Sequence, residues 1–139
     1  MTVDPVQRAS ERGTRLNEAA TRAATGAAAE ALALRWLQQR GLTLVQRNYR
    51  VAHGPGARGG EIDLILRDTE GTLVFCEVRA RRHARHGGAA ASVSAFKQRA
   101  LVYAAQHFLM TLPHLPPCRF DVLAIDGNQV EWLRGAFEA

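Results

Sequence analysis

Apolar positions repeat with helical spacing from about Ala24 to Arg40. Ala28, Ala31, Leu32, Arg35 and Trp36 interleave there with Ala29, Leu34 and Leu37. Gly41 follows an arginine-containing last turn, a signal that stops a helix. The next run, LTLVQRNYRV (42–51), is rich in β-formers and predicts a strand. HGPGARGG (53–60) reads as loop from its Gly and Pro content. EIDLILRD (61–68) predicts a second strand, Thr69-Glu70-Gly71 a tight connection, and TLVFCEVRAR (72–81) a third strand. That third strand is apolar on both faces near its start, the pattern of a central strand covered on both sides.

RHARHGGAAA (82–91) is a basic, glycine-containing loop. Ser92 is placed to cap a helix from about Val93 to Leu112. Its Phe96, Ala100, Val102, Tyr103, Phe108 and Leu109 suit packing on a sheet. Pro113, Pro116 and Pro117 end that helix. CRFDVLAID (118–126) predicts a fourth strand, and the turn at Asp126-Gly127-Asn128 returns QVEWLR (129–134) as a fifth. The order α-β-β-β-α-β-β describes an α/β fold with a central mixed sheet flanked by helices. Residues 1–22 are expected as a poorly ordered tail and 23–139 as one domain.

Composition narrows the class. The 139 residues are 47% hydrophobic, as in a globular domain, and no run of 18 apolar residues predicts a membrane span. The N-terminus lacks the apolar core of a secretory signal, and Asp4, Glu11 and Glu18 argue against a transit peptide, so a cytoplasmic location is expected. Two cysteines, Cys76 and Cys118, do not make a disulfide scaffold, and no Cys/His spacing suggests zinc. The formal charge is +5 and the isoelectric point about 10.2. Such a balance points to a polyanion, nucleic acid or an anionic surface, as partner. Nearly all of the basicity is arginine, and Lys97 is the one lysine.

Three acidic residues, Glu30, Asp63 and Glu77, are weighed together as carriers of the candidate chemistry. Glu61 and Asp63 lie two apart on the second strand and share a face, as do Glu77 and Arg79 on the third. Adjacent strands bring Asp63 near Glu77. Each sits in an apolar run, where a carboxylate is costly unless something pairs with it or it coordinates an ion. Two close carboxylates repel, and a divalent cation relieves the repulsion. Hard oxygen ligands favour Mg²⁺ or Mn²⁺. The competing reading is a buried ion pair, for instance Asp63 with Arg79. Glu61, after two glycines, reads as solvated rather than ligating. Arg79, Arg81, Arg82, His83, Arg85 and His86 form a basic run that is either a solvated surface or a track for phosphates. No basic helix suits the major groove, so any nucleic-acid recognition is expected to be by shape. Trp36 and Trp132 read as core residues.

The series GGEIDLILRD, TLVFCEVRARR, GGAAASVSAFKQRAL and CRFDVLAIDGNQVEWLRGAF closely resembles the YraN-like bacterial proteins. That uncharacterised family is placed in the PD-(D/E)XK nuclease superfamily, near Holliday-junction resolvases. The resemblance covers roughly Gly26 to the C-terminus and implies a restriction-endonuclease-like core. It implies a metal-dependent endonuclease acting on nucleic acid, with structured or branched DNA as the substrate class. Asp63 and Glu77 match the two metal-binding acids, and Glu30 matches the first-helix Glu that completes the site. Mg²⁺ or Mn²⁺ is the implied cofactor. Arg79 stands where the motif has lysine. It cannot act as a base, but it can stabilise a phosphate. Lys97, on the second helix, would then supply the missing amine, or else is a solvent-facing charge. Arg81, Arg82, Arg85 and His86 are the implied phosphate contacts, and a homodimer would suit two-strand cleavage. The alternatives are a nucleic-acid-binding module that kept the fold and lost catalysis, favoured by Arg79, and a protein-interaction adaptor whose basic loop serves an acidic partner.

Overall fold

A computed structural model of the chain describes residues 9–11, 26–52, 59–81, 93–127 and 129–139. The elements run β1 (Ala9–Glu11), α1 (Ala27–Gln38), β2 (Thr43–Val51), β3 (Gly60–Arg67), β4 (Leu73–Arg81), α2 (Ala95–Leu109), β5 (Cys118–Asp126) and β6 (Gln129–Phe137). They form one six-stranded mixed sheet in the order β1-β6-β5-β4-β3-β2, with β4 and β5 parallel and every other pair antiparallel. This is the α/β arrangement of a restriction-endonuclease-like core. β1, in the segment expected as a tail, adds an edge strand against β6 that no apolar alternation announces.

The sheet is covered on both faces. On one, α1 lays Ala29, Leu32, Ala33, Trp36 and Leu37 over Leu64 and Leu66 of β3, Val74 and Cys76 of β4, and Leu123 and Ile125 of β5. On the other, α2 lays Leu101, Ala104, Ala105 and Phe108 over Ile62, Ile65, Leu73, Phe75 and Val122. β4 is thus the doubly covered strand its sequence predicts. Trp36 and Trp132 are both buried and meet edge to face, ring centroids 5.7 Å apart. Both cysteines are free, Cys76 inside and Cys118 on the surface.

α2 differs from expectation in two ways. Its cap is Ser94, not Ser92: the Ser94 Oγ accepts the Lys97 N–H at 3.1 Å, and Ser92 lies outside the described residues. Its buried stripe is Leu101, Ala104, Ala105 and Phe108, while Phe96 and Tyr103 are exposed. Gly60 explains the rotation. A Cβ there would fall on the Ala100 carbonyl oxygen and lie 3.1 Å from the Ala104 Cβ. Only an alanine-lined face of the helix lets β3 come so close, and Phe96 and Tyr103 turn outward.

At the start of β5, Asp121 is fully buried and fully satisfied. It accepts from Arg119 Nε (3.0 and 3.2 Å), Trp132 Nε1 (3.0 Å) and the Gly135 N–H (3.0 Å). Arg119 also donates to Asp68 at 2.9 Å, and Asp68 holds the β3–β4 turn through the Glu70 and Thr72 N–H groups. Removing this carboxylate leaves the Arg119 Nε, the Trp132 indole N–H and the Gly135 N–H without their acceptor. Asp121→Ala is expected to cost about 3 kcal/mol or more in chemical denaturation. Gly60→Ala is expected to cost about 1–3 kcal/mol through overpacking against α2, read in the same experiment.

Candidate functional site

The site arises where β3 leaves β4. Their ladder pairs Leu64 with Cys76 and continues to Arg67 with Leu73. Beyond Leu64, residues 60–62 of β3 are paired with β2. The side-chain alternation slips at the same level. Leu64 and Leu66 face α1, yet Ile62 faces α2, although residues two apart on a regular strand share a face. Asp63 sits in the slip. Its Oδ2 accepts the Val78 N–H at 2.9 Å, a side-chain bond where the ladder no longer runs. The opening is a cleft of about 440 Å³ lined by residues of α1, β2, β3 and β4, among them Glu30, Asn48, Arg50, Glu61, Asp63 and Glu77.

Three carboxyl groups meet in the cleft. Glu30 comes from the first turn of α1, Asp63 from β3 and Glu77 from β4. Both glutamates lie within hydrogen-bonding range of the Asp63 carboxyl. Burial and then the Asp63 charge push Glu77 up to about 7, against the pull of Lys97 and Arg79. Glu30 is raised by the same two causes in the same order, with the Asn48 amide favouring its charged form and pulling the other way. Glu61 stands at the rim, paired with Arg50 at 3.3 Å, in keeping with the solvated role expected of it.

The two cations near Glu77 come from different elements. Arg79, two residues on along β4, places Nη1 3.4 Å from Glu77 Oε2. Lys97 reaches the same oxygen from α2 at 3.7 Å. The pair considered from sequence, Asp63 with Arg79, is replaced by Glu77 with Arg79, because Asp63 turns to the Val78 amide. Lys97 lies in the first helical turn, where the helix dipole disfavours a cation. Its place is understandable as a reach toward Glu77 rather than as helix stabilisation.

Glu77 and Asp121 are equally well buried but unlike in their bonding. Asp121 has donors on both oxygens. Glu77 has both cations on Oε2, and its Oε1 is buried with no hydrogen-bond partner; Glu30 Oε1 is in the same condition. Among the described residues no three His, Cys, Asp or Glu side chains already close on one point as ligands do around an ion. The donor set nevertheless fits a hard divalent cation: three carboxylates in one cleft, two of them with buried oxygens that lack any donor. Glu30, Asp63 and Glu77 are the residues that could hold such an ion.

Of the expected phosphate contacts, Arg82, His83, Arg85 and His86 lie outside the described residues, and Arg81 is described only as the last residue of β4. Two polar cleft residues were not singled out from sequence, Asn48 and Arg50. Asn48 carried a signal, since asparagine is unusual in the middle of a β-forming run.

The Uncharacterised protein family UPF0102 matches residues 29–125, a span that runs from within α1 to within β5. The chain belongs to the UPF0102 family. A UPF0102 protein of Methylibium petroleiphilum is 59% identical over 119 residues, covering 86% of this chain and 98% of that protein. Another, of Albidiferax ferrireducens, is 59% identical over 82% of this chain and 87% of its own length. A third, of Ralstonia nicotianae, is 59% identical over 83% and 87%. The UPF0102 match thus contains Glu30, Asp63, Glu77, Arg79 and Lys97 together.

The raised Glu77 carboxyl has a consequence for stability. Between about 4.5 and about 7 the folded chain keeps a proton that the unfolded chain has released. Without divalent ions, stability is therefore expected to fall as pH rises through that window, in denaturation curves taken at several pH values. Asp63→Asn removes the neighbouring charge and is expected to lower the Glu77 midpoint, read by NMR of its side-chain carboxyl.

Proposed function

We propose that this protein is a divalent-metal-dependent nuclease that cuts the phosphodiester backbone of nucleic acid, with structured or branched DNA as its substrate. The observation that carries the reading is the pair of donorless, buried glutamate oxygens flanking Asp63 in an open cleft. Folded proteins leave few such oxygens bare, and a bound ion is one of the things that satisfies them. Glu30, Asp63 and Glu77 would hold Mg²⁺ or Mn²⁺. Such an ion supplies Lewis acidity and a water of lowered pKa beside a phosphodiester.

The chain's own groups have distinct parts. Asp63, fixed by the Val78 N–H, anchors the carboxylate cluster. Glu77, near neutrality, holds or releases a proton at the cleft wall. Arg79 stays charged and suits a phosphate oxygen, offering two donors in one plane. Lys97 is the amine within reach of Glu77, so it takes the place left by the motif's missing lysine. The overall positive charge favours approach of a polyanion, and the arginines after β4 suit backbone contacts. No helix among the described residues is long and apolar enough to cross a membrane. A cytoplasmic site of action follows from the proposed substrate.

Two observations favour a second reading, a nucleic-acid-binding module without catalysis. Arg79 replaces the motif's lysine, and the carboxylates do not yet close on one point. Purified protein incubated with four-way-junction DNA and Mg²⁺ or Mn²⁺ separates the two. Cleavage is expected, abolished by chelation and reduced more than about 100-fold in Asp63→Ala and Glu77→Ala. Salt-sensitive binding of the junction with no cut under either metal establishes the module instead, and no binding to any nucleic acid removes both.

A further inference from the structure

Asn48 is the one residue other than glycine with a positive φ, 51°, among the described residues. It lies in the middle of β2, on the cleft wall. The β2–β3 pairs on either side of it are Arg47 with Leu64 and Tyr49 with Ile62, so Asn48 faces the level of Asp63, where β3 slips. It shares the cleft lining with Glu30, where its amide favours the charged form of that carboxylate. A left-handed residue inside a strand costs conformational energy and breaks the local alternation, and such strain persists only where the surroundings demand it. Asparagine tolerates this backbone better than other residues with side chains, and its short amide reaches no farther than a neighbouring group.

We propose that Asn48 is a positioning residue for the carboxylate cluster: its left-handed backbone turns the amide inward, and the amide holds Glu30 beside Asp63. Glu30 is the acid most in need of such a hold. Asp63 is fixed by a backbone N–H and Glu77 by two cations, whereas Glu30 projects from the first turn of a helix whose own cap, Gly26, offers no side chain. The strain at Asn48 therefore serves the third ligand. β2 is then a working wall of the site, and the sheet's edge strand is recruited into it. This inference rests on the reading of Glu30, Asp63 and Glu77 as a metal-holding set.

Asn48→Gly separates positioning from folding, because glycine accepts the positive φ without strain and lacks only the amide. The full-length variant is expected to melt at or above the wild-type temperature. It is expected to bind Mn²⁺ about ten-fold more weakly in calorimetric titration, as loss of an orienting partner does. Its crystal structure is expected to show the Glu30 carboxyl turned away from Asp63. Unchanged Mn²⁺ affinity with Glu30 in place overturns the proposal and leaves the metal reading standing. A lower melting temperature makes Asn48 a folding residue and also overturns it. Wild-type protein that binds Mn²⁺ no better than Asp63→Ala overturns the metal reading itself, and this proposal with it.

Discussion

Carboxylate repulsion at the fork between β3 and β4 is the constraint around which the rest of this structure is arranged. Two glutamates, each within hydrogen-bonding range of Asp63 and one of them almost wholly buried, resist being charged together with it. The fold answers with a backbone N–H on Asp63, two cations on one oxygen of Glu77, an amide near Glu30, and protons held to higher pH than usual. None of these reaches Glu30 Oε1 or Glu77 Oε1. The arrangement is tolerated rather than optimised for stability, and that is the physical ground of the proposed metal site.

Asp121 shows what the same scaffold does with a buried acid whose task is structural. Its oxygens share an arginine, an indole and a backbone amide, and the arginine passes on to Asp68, which closes the β3–β4 turn. A single network thereby fixes the ends of β3, β4, β5 and β6 away from the cleft. The contrast matters because both acids look alike as letters: each is a carboxylate in an apolar strand. Only the set of donors around each separates a structural acid from a candidate ligand.

Close packing ties the cleft to the second helix. Gly60 lets β3 lie against the alanine face of α2, and that contact sets the rotation of the helix and so the direction of Lys97. The lysine reaches a strand on which the arginine already stands, so two cations converge on Glu77 from different parts of the chain. The parallel β4–β5 pair needs a long crossover, and α2 within it supplies this amine.

Local pattern alone determined a good deal. Periodicities of two and 3.6, glycine and proline stops, and acids set within apolar runs are properties of neighbouring residues. They placed both long helices, five of the strands, the doubly covered β4, and Asp63 and Glu77 as the acids to watch, while the place of Glu30 among them rested on the family resemblance alone. The extra edge strand β1 was not legible, since three residues have no period to read and owe their form to β6. Nor was the buried face of α2, whose apolar residues allow more than one stripe until the approach of Gly60 selects the smallest. The slip at Asp63, the exchange of its expected arginine for the Val78 amide, and the inward turn of Asn48 belong to the tertiary structure alone. They depend on where two strands part, and that is settled by packing between residues far apart in the chain, not by the order of residues within either strand.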